Sequence, residues 1–249
     1  MKIKKFLLNA IFYLSFIPLT VICVLIFSPW VLAGFLASQR EAIRRFHLAI
    51  RWYARILIWV LPRPFLKVRY LDKAIGEDVP QPYIVICNHR SLSDTFLMAC
   101  LSFEVIVIVN TWPFRIPFLG FFARLAGYLS VNEMSFEVFS QRCGDILDQG
   151  VSIIAFPEGT RSGKNTMGQF RGSMFRIALN KKIPIVPMCI TGNTDKPMRG
   201  SFWINPGAIL IHRLPTVRYE EFKDFNPFKL KNYIRDIIER ETKLMDAQK

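Results

Sequence analysis

At 249 residues the chain has length for one sizeable domain plus an appendage, with a core large enough to be stable without disulfides. Hydrophobic residues make up 51% and mean hydropathy is positive, which argues against a simple soluble enzyme. Thirty-three Lys and Arg against 19 Asp and Glu give a formal charge of +14 and call for an anionic partner. Nucleic acid fits poorly, because the basic residues are interleaved with long apolar runs and neither zinc-finger spacing nor an RNA-recognition sequence is present.

The chain opens with Lys2, Lys4 and Lys5, after which no charge appears from residue 6 through residue 39. As one straight helix that run would be roughly 50 Å long, beyond the ~30 Å hydrocarbon core of a bilayer. Pro18 and Pro29 offer breaks. Residues 40–61 read as a basic amphipathic helix, with Ile43, Phe46, Ile50, Ala54 and Leu57 on one face and Arg40, Arg44, Arg51 and Arg55 on another. Trp52, Tyr53 and Trp59 suit a lipid interface. Within residues 1–62 eight Lys or Arg face only Glu41, so half of the net charge lies where anionic headgroups would attract it. A helix packed on the domain with a solvated charged face is the plainer alternative. Basic residues flank both ends of the apolar run, which favours both ends on the cytosolic side and a broken, re-entrant or two-helix anchor over one full crossing. The expected location is a membrane, with the remaining domain on its cytoplasmic face.

Pro62 and Pro64 mark the expected boundary between these anchoring helices, residues 1–62, and a second domain, residues 63–249. From there strand-like segments (66–70, 83–87, 105–109, 152–156, 185–190, 208–211) alternate with helix-like ones (93–103, 117–126, 136–147, 172–180, 227–245). That alternation predicts an α/β fold with a central, mostly parallel sheet flanked by helices and preceded by N-terminal membrane-associated helices. The aromatic stretch at residues 112–122, WPFRIPFLGFF, lines an acyl-chain groove, docks on a bilayer or is core.

Two loops at strand ends carry the polar chemistry. The apolar run at 83–87 ends in Asn88 and His89, with Asp94 five residues beyond His89, and the run at 151–155 ends in FPEGTRS at 156–162. With Ser93 as N-cap, Asp94 falls in the first helical turn and folds back to hold one imidazole nitrogen of His89, leaving the other to act as general base. Alone, the pair reads equally as a capped helix start with its favourable anion. Cys23, Cys87, Cys100, Cys143 and Cys189 show no short paired spacing and read as small core residues in a reducing compartment. His47, His89 and His212 are too scattered for an obvious metal site, and no serine-nucleophile elbow, phosphate loop or dinucleotide fingerprint occurs. No metal and no cofactor are therefore expected.

NHRSLSD at 88–94 and FPEGTRS at 156–162 are similar to the N-H-x-x-x-x-D and P-E-G-T-R-S blocks of the glycerolipid acyltransferase family, which includes 1-acylglycerol-3-phosphate O-acyltransferases. IPIVP at 183–187 looks like that family's Pro-containing fourth block, so the resemblance covers about residues 66–216. It implies transfer of a fatty acyl group from acyl-CoA or acyl carrier protein to the hydroxyl of a lysophospholipid, most naturally 1-acylglycerol-3-phosphate giving phosphatidate. His89 and Asp94 then serve as base and orienting acid without an acyl-enzyme. The second loop implies acceptor phosphate binding by Glu158, Gly159, Thr160 and Arg161, with Arg171 in support. Glycine allows close approach and arginine offers a fork matched to phosphate, whereas Glu158 beside an anion needs another role, orienting Arg161 or binding a glycerol hydroxyl.

The chain departs from the family at one block, where a Gly is followed by Ile-Asp-Arg whose arginine helps bind phosphate. This chain reads Gly127 to Glu133, GYLSVNE, with no arginine. Arg124 or Lys164 compensates, or the acceptor is a different lysolipid. The rival readings are a non-enzymatic protein that tethers partners to anionic membrane, and a hydrolase directing the same histidine at water.

Overall fold

The computed structural model describes residues 2–60, 62–63, 65–100, 105–115, 117–130, 133–162 and 166–248. The apolar run forms one helix, α1 (Lys2–Phe35), continuous through both prolines. Each proline removes one N–H donor, but the other backbone groups of an apolar segment gain from staying in helical bonds, so the expected breaks do not form. Only 6% of its most apolar 18-residue window is buried. The chain reverses at Gly34, where a Cβ would lie 2.8 Å from the Cα of Ala42. It returns as α2 (Gln39–Arg55), capped by Ser38, whose Oγ accepts the Glu41 N–H at 3.0 Å.

The residues buried in α2 are Ala42, His47, Ala49 and Ala54, with Ile43, Phe46 and Ile50 half-buried, and its α-helical part stops at Arg55 and continues as a π turn, Ile56–Val60. Tyr53 and Thr20 share a 2.7 Å hydroxyl hydrogen bond, and Arg45 donates to the Trp30 carbonyl and lies over its ring. Toward the domain, His47 Nε2 donates to the Ala126 carbonyl at 2.7 Å and Phe46 stacks on Phe122. That fixes the aromatic segment against α2, with Phe114 buried and Phe121 exposed.

The domain follows as β1 (Leu66–Asp72), β2 (Ile84–Cys87), α3 (Ser93–Ala99), β3 (Val105–Val109), α4 (Trp112–Arg115), α5 (Pro117–Leu125), β4 (Leu129–Ser130), α6 (Phe136–Asp148), β5 (Ser152–Ala155), α7 (Ser173–Lys181), β6 (Ile185–Thr191), β7 (Gly207–Arg213), α8 (Tyr219–Phe222) and α9 (Pro227–Ala247). Among the described residues the strands make one seven-stranded sheet in the order β1-β7-β6-β2-β5-β3-β4. Every pairing is parallel except β6 with β7. The predicted mostly parallel α/β architecture is therefore what forms. β2, β5 and β6 are buried throughout, as continuous apolar runs covered on both faces must be.

The pleat sorts their side chains. Ile84 and Ile86 join α6, α7 and α9 in one core, whereas Val85 and Cys87 join α3 and the π turn in the other. The helix predicted over 93–103 ends at Ala99, and residues 101–104 lie outside the described residues. The carboxyl ends of β3, β5, β2 and β6 lie side by side, with Ile86 opposite Ala155 and Cys87 opposite Met188.

Candidate active site

Each of these four strand ends supplies polar side chains to the same region. After β2 come Asn88 and His89. Asn88 turns back onto β6, donating from Nδ2 to the Ile190 carbonyl at 2.9 Å and accepting the Ile190 N–H at 2.8 Å. This closes the first loop over the sheet end and leaves His89 at its edge, its side chain 19% exposed.

His89 Nδ1 donates to Asp94 Oδ2 at 2.7 Å. That oxygen also accepts the backbone N–H groups of Arg90 at 2.7 Å and Ser91 at 2.9 Å, while Oδ1 accepts from Asn193 Nδ2. Asp94 is completely buried, so the carboxylate sits in a fixed frame of donors. With Nδ1 committed, Nε2 is the nitrogen left to exchange a proton. Ser93 is not the N-cap: Leu92 takes that position without a side-chain bond, and Ser91 Oγ accepts the Ser93 N–H at 3.4 Å. The Ser93 hydroxyl is buried without a partner among the described residues.

The second loop grips the first by its backbone. Glu158 Oε1 accepts the His89 N–H at 2.7 Å, and Oε2 accepts the Gly168 N–H at 2.8 Å. In the other direction the His89 carbonyl accepts from Ser162 through N at 2.8 Å and Oγ at 3.1 Å. Glu158 is buried, and this position accounts for a carboxylate in a loop otherwise expected to meet an anion: it fastens two backbone amides. Each oxygen accepts one of those amides, a structural role beyond the two the sequence suggested, orienting Arg161 or meeting a glycerol hydroxyl.

Gly159 adopts φ +67°, a left-handed turn that glycine alone takes without cost. Its Cα faces the Arg171 guanidinium, so a Cβ there would lie 2.7 Å from Nε. Arg171 is tied to the loop by its own N–H, which donates to the Pro157 carbonyl at 2.8 Å. Asn110, from the end of β3, donates to the Gly159 carbonyl at 3.3 Å. His89, Gly159, Arg161 and Arg171 all line one cleft of about 130 Å³, with Asn110, Phe156 and Leu92 among its other walls. The Phe156 ring tilts against the imidazole at 4.7 Å between centroids and shields that side from water. Asp94 stands behind His89, and exposed Thr160 lies outside the cleft walls.

Of the two cations expected to stand in for the missing arginine, Arg124 donates to the Phe114 carbonyl and covers its ring, away from the cleft. Lys164 lies outside the described residues. A larger cavity of about 790 Å³ opens under α2 between Trp52, Trp59, Leu97, Met188 and Ile211, and His89 is not among its walls.

Reading the sequence missed Asn193 and Asn110 as site residues and gave Asn88 no role of its own. The first had a legible mark: Gly192 and Asn193 follow a fully buried strand, and Gly192 at φ +82° has the Ala208 carbonyl where a Cβ would stand. Cys87, one residue from Asn88, is no nucleophile here. Burial pushes its thiol well up, and the nearby Asp94 carboxylate adds to this.

Residues 72–191 match the family model described as Acyltransferase. The chain is 24% identical over 213 residues to a 1-acyl-sn-glycerol-3-phosphate acyltransferase of Limnanthes alba, covering 76% of this chain and 74% of that protein. It is 31% identical over 179 residues to the chloroplastic 1-acyl-sn-glycerol-3-phosphate acyltransferase BAT2 of Brassica napus, covering 68% of this chain and half, 50%, of that protein. The crystal structure of the 1-acyl-sn-glycerophosphate (LPA) acyltransferase PlsC from Thermotoga maritima shares the fold, with a TM-score of 0.74 at 21% identity over 99% of this chain and 98% of that one.

Proposed function

We propose that this chain, an acyltransferase that belongs to the 1-acylglycerol-3-phosphate acyltransferase family, moves a fatty acyl group from acyl-CoA or acyl carrier protein onto a lysophospholipid hydroxyl, with 1-acylglycerol-3-phosphate going to phosphatidate. The observation that carries this reading is the single cleft shared by His89, Arg161 and Arg171, which supports a base and two phosphate-matched cations acting on one small headgroup.

In this mechanism His89 Nε2 takes the acceptor hydroxyl proton as the oxygen attacks the thioester carbonyl. Asp94 keeps the Nδ1–H tautomer and stabilises the imidazolium that forms. The tetrahedral intermediate then expels the donor thiolate, which takes the proton from Nε2, leaving an ester and a free thiol. Arg161 and Arg171 bind the acceptor phosphate, Gly159 lets backbone come close to it, and Thr160 donates from the exposed rim. Glu158 contributes by fastening the His89 amide. The reaction calls for no cofactor beyond the thioester donor.

The membrane is the other partner. α1 is long and apolar enough to cross a bilayer. Yet Asn9, Thr20 and Trp30 along its length are bonded to the domain or to α2, which favours a helix lying against the domain at one face of an anionic bilayer, the cytoplasmic one.

The test is lipid mass spectrometry after purified protein meets mixed acyl thioesters and a panel of lysolipids, including one without phosphate. New ester on lysophosphatidate is expected. Free fatty acid alone would identify a hydrolase, and no thioester consumption a tether.

A further inference from the structure

The segment between β6 and β7, residues 192–206, has one end in the candidate active site and the other on α1. At its start Asn193 donates to Asp94, and Ser91 Oγ donates to the Lys196 and Pro197 carbonyls at 3.1 and 3.2 Å. Near its end Asn9 of α1 donates to the Ile204 carbonyl at 2.8 Å and accepts the Ile204 N–H at 2.8 Å. Tyr13, one helical turn further, donates to the Phe202 carbonyl, and Lys5 lies 5.8 Å over the Trp203 ring. Asn9 thus satisfies a buried amide by binding backbone, and the segment is fixed to one face of the apolar helix.

What this scaffold presents outward is apolar. Phe202 is 82% exposed, Trp203 50% and Met198 42%, and Phe6, one position round α1 from Lys5, is 62% exposed. Arg199, Lys2, Lys4 and Lys5 supply positive charge around them. Exposed aromatics ringed by cations, continuous with an apolar helix, match the interfacial zone of an anionic bilayer, where indole and phenyl rings gain burial and ammonium groups meet headgroup phosphate.

We propose that residues 198–204 are a second membrane-docking element, inserting Phe202 and Trp203 among the headgroups of an anionic phospholipid bilayer. This sets the height of the Asp94–His89 pair above the lipid from which the acceptor is drawn. The proposal rests on the membrane placement of α1, and the loop is bonded to Asp94 through Asn193.

The test uses the full chain with Trp203 as its sole tryptophan, the other four changed to Phe, on phosphatidylglycerol-containing vesicles brominated near the carbonyl or the methyl end of the acyl chains. Trp203 emission should be quenched, more strongly by shallow bromines. A sister protein with Trp30 as sole tryptophan reports α1 separately. Quenching of Trp30 without quenching of Trp203 overturns the loop proposal and leaves the anchor standing, whereas quenching of neither removes both.

Should the single-tryptophan proteins fail to fold, the double variant Phe202→Ser with Trp203→Ser serves instead. Loss of the buried rings should raise KM for vesicle-borne lysophosphatidate about tenfold, with kinetics on a short-chain, water-soluble acceptor unchanged. Equal KM on vesicles overturns the proposal, as does weakened use of acyl carrier protein alone, which would identify the patch as a protein-docking surface.

Discussion

The backbone N–H of His89 is held by the carboxylate of Glu158, 2.7 Å away and 69 residues later in the chain. Since the same carboxylate takes the Gly168 N–H, the imidazole loop, the arginine loop and the segment at Gly168 that leads toward α7 form one bonded unit. The proposed chemistry needs a proton-transfer group and a phosphate-binding group at a fixed separation, and the Glu158 bonds hold the two loops together.

Glu158→Gln should therefore cost activity as well as stability. However the amide is turned, its NH2 faces one of two backbone N–H groups, leaving a buried donor unpaired at a cost of about 1–3 kcal/mol. Thermal melts alongside acyl-transfer rates check this. A variant that melts like the parent and turns over at the parental rate would show that the loops are aligned by something else.

Asp94→Asn tests the orienting carboxylate. Its oxygens face only donors, from His89, Arg90, Ser91 and Asn193, so an amide nitrogen has no acceptor there and favours the wrong imidazole tautomer. Thiol release from the donor should fall between about 10²- and 10⁴-fold, with KM for the acceptor little changed. Parental turnover in a folded variant would remove Asp94 from the mechanism.

At Gly159 the backbone and the neighbouring guanidinium both exclude a side chain. Gly159→Ala should cost about 1–2 kcal/mol from the left-handed conformation and displace Arg171, raising acceptor KM more than it lowers kcat. Unchanged acceptor KM would separate Arg171 from phosphate binding.

The layered fold was legible because its signals are local. Short apolar runs bounded by turns gave the strands, and helical spacing gave α2, α6, α7 and α9. His89 with Asp94 and the Glu158 to Arg161 loop were legible as motifs, and their meeting at adjacent strand ends arises from parallel pairing. What stayed hidden depends on partners distant in sequence. Glu158 bonds His89 across 69 residues and Asn193 reaches Asp94 across 99, so neither role leaves a local pattern. The antiparallel β7 and the unbroken α1 were hidden for another reason: strand direction has no local signature, and proline states a preference that an apolar helix can override.

Acid sensitivity should arise at a second carboxylate. Burial of Glu241 favours its neutral form, but Lys73 and His212, at 2.8 and 2.6 Å, outweigh this and hold its carboxyl below the ordinary range. A folded-state pKa below the unfolded one means stability that is fully present above about 4.5 and lost as pH falls through the folded value. Glu241→Gln should lower stability at neutral pH by about 1–2 kcal/mol and flatten its decline below the unfolded pKa. Urea midpoints measured from neutral pH down to about pH 3 give the comparison, and parallel curves for variant and parent would assign the acid loss elsewhere.

His89 and Arg161 must serve one acceptor molecule in one cleft for this chemistry to occur. The most direct test is the acceptor kinetics of Arg161→Ala on lysophosphatidate and on a monoacylglycerol of the same chain. Loss of a charge-assisted contact predicts a rise of about 10- to 100-fold in KM for lysophosphatidate, no change for monoacylglycerol, and His89-dependent turnover of both. An unchanged KM for lysophosphatidate, or equal losses on the two acceptors, would contradict it.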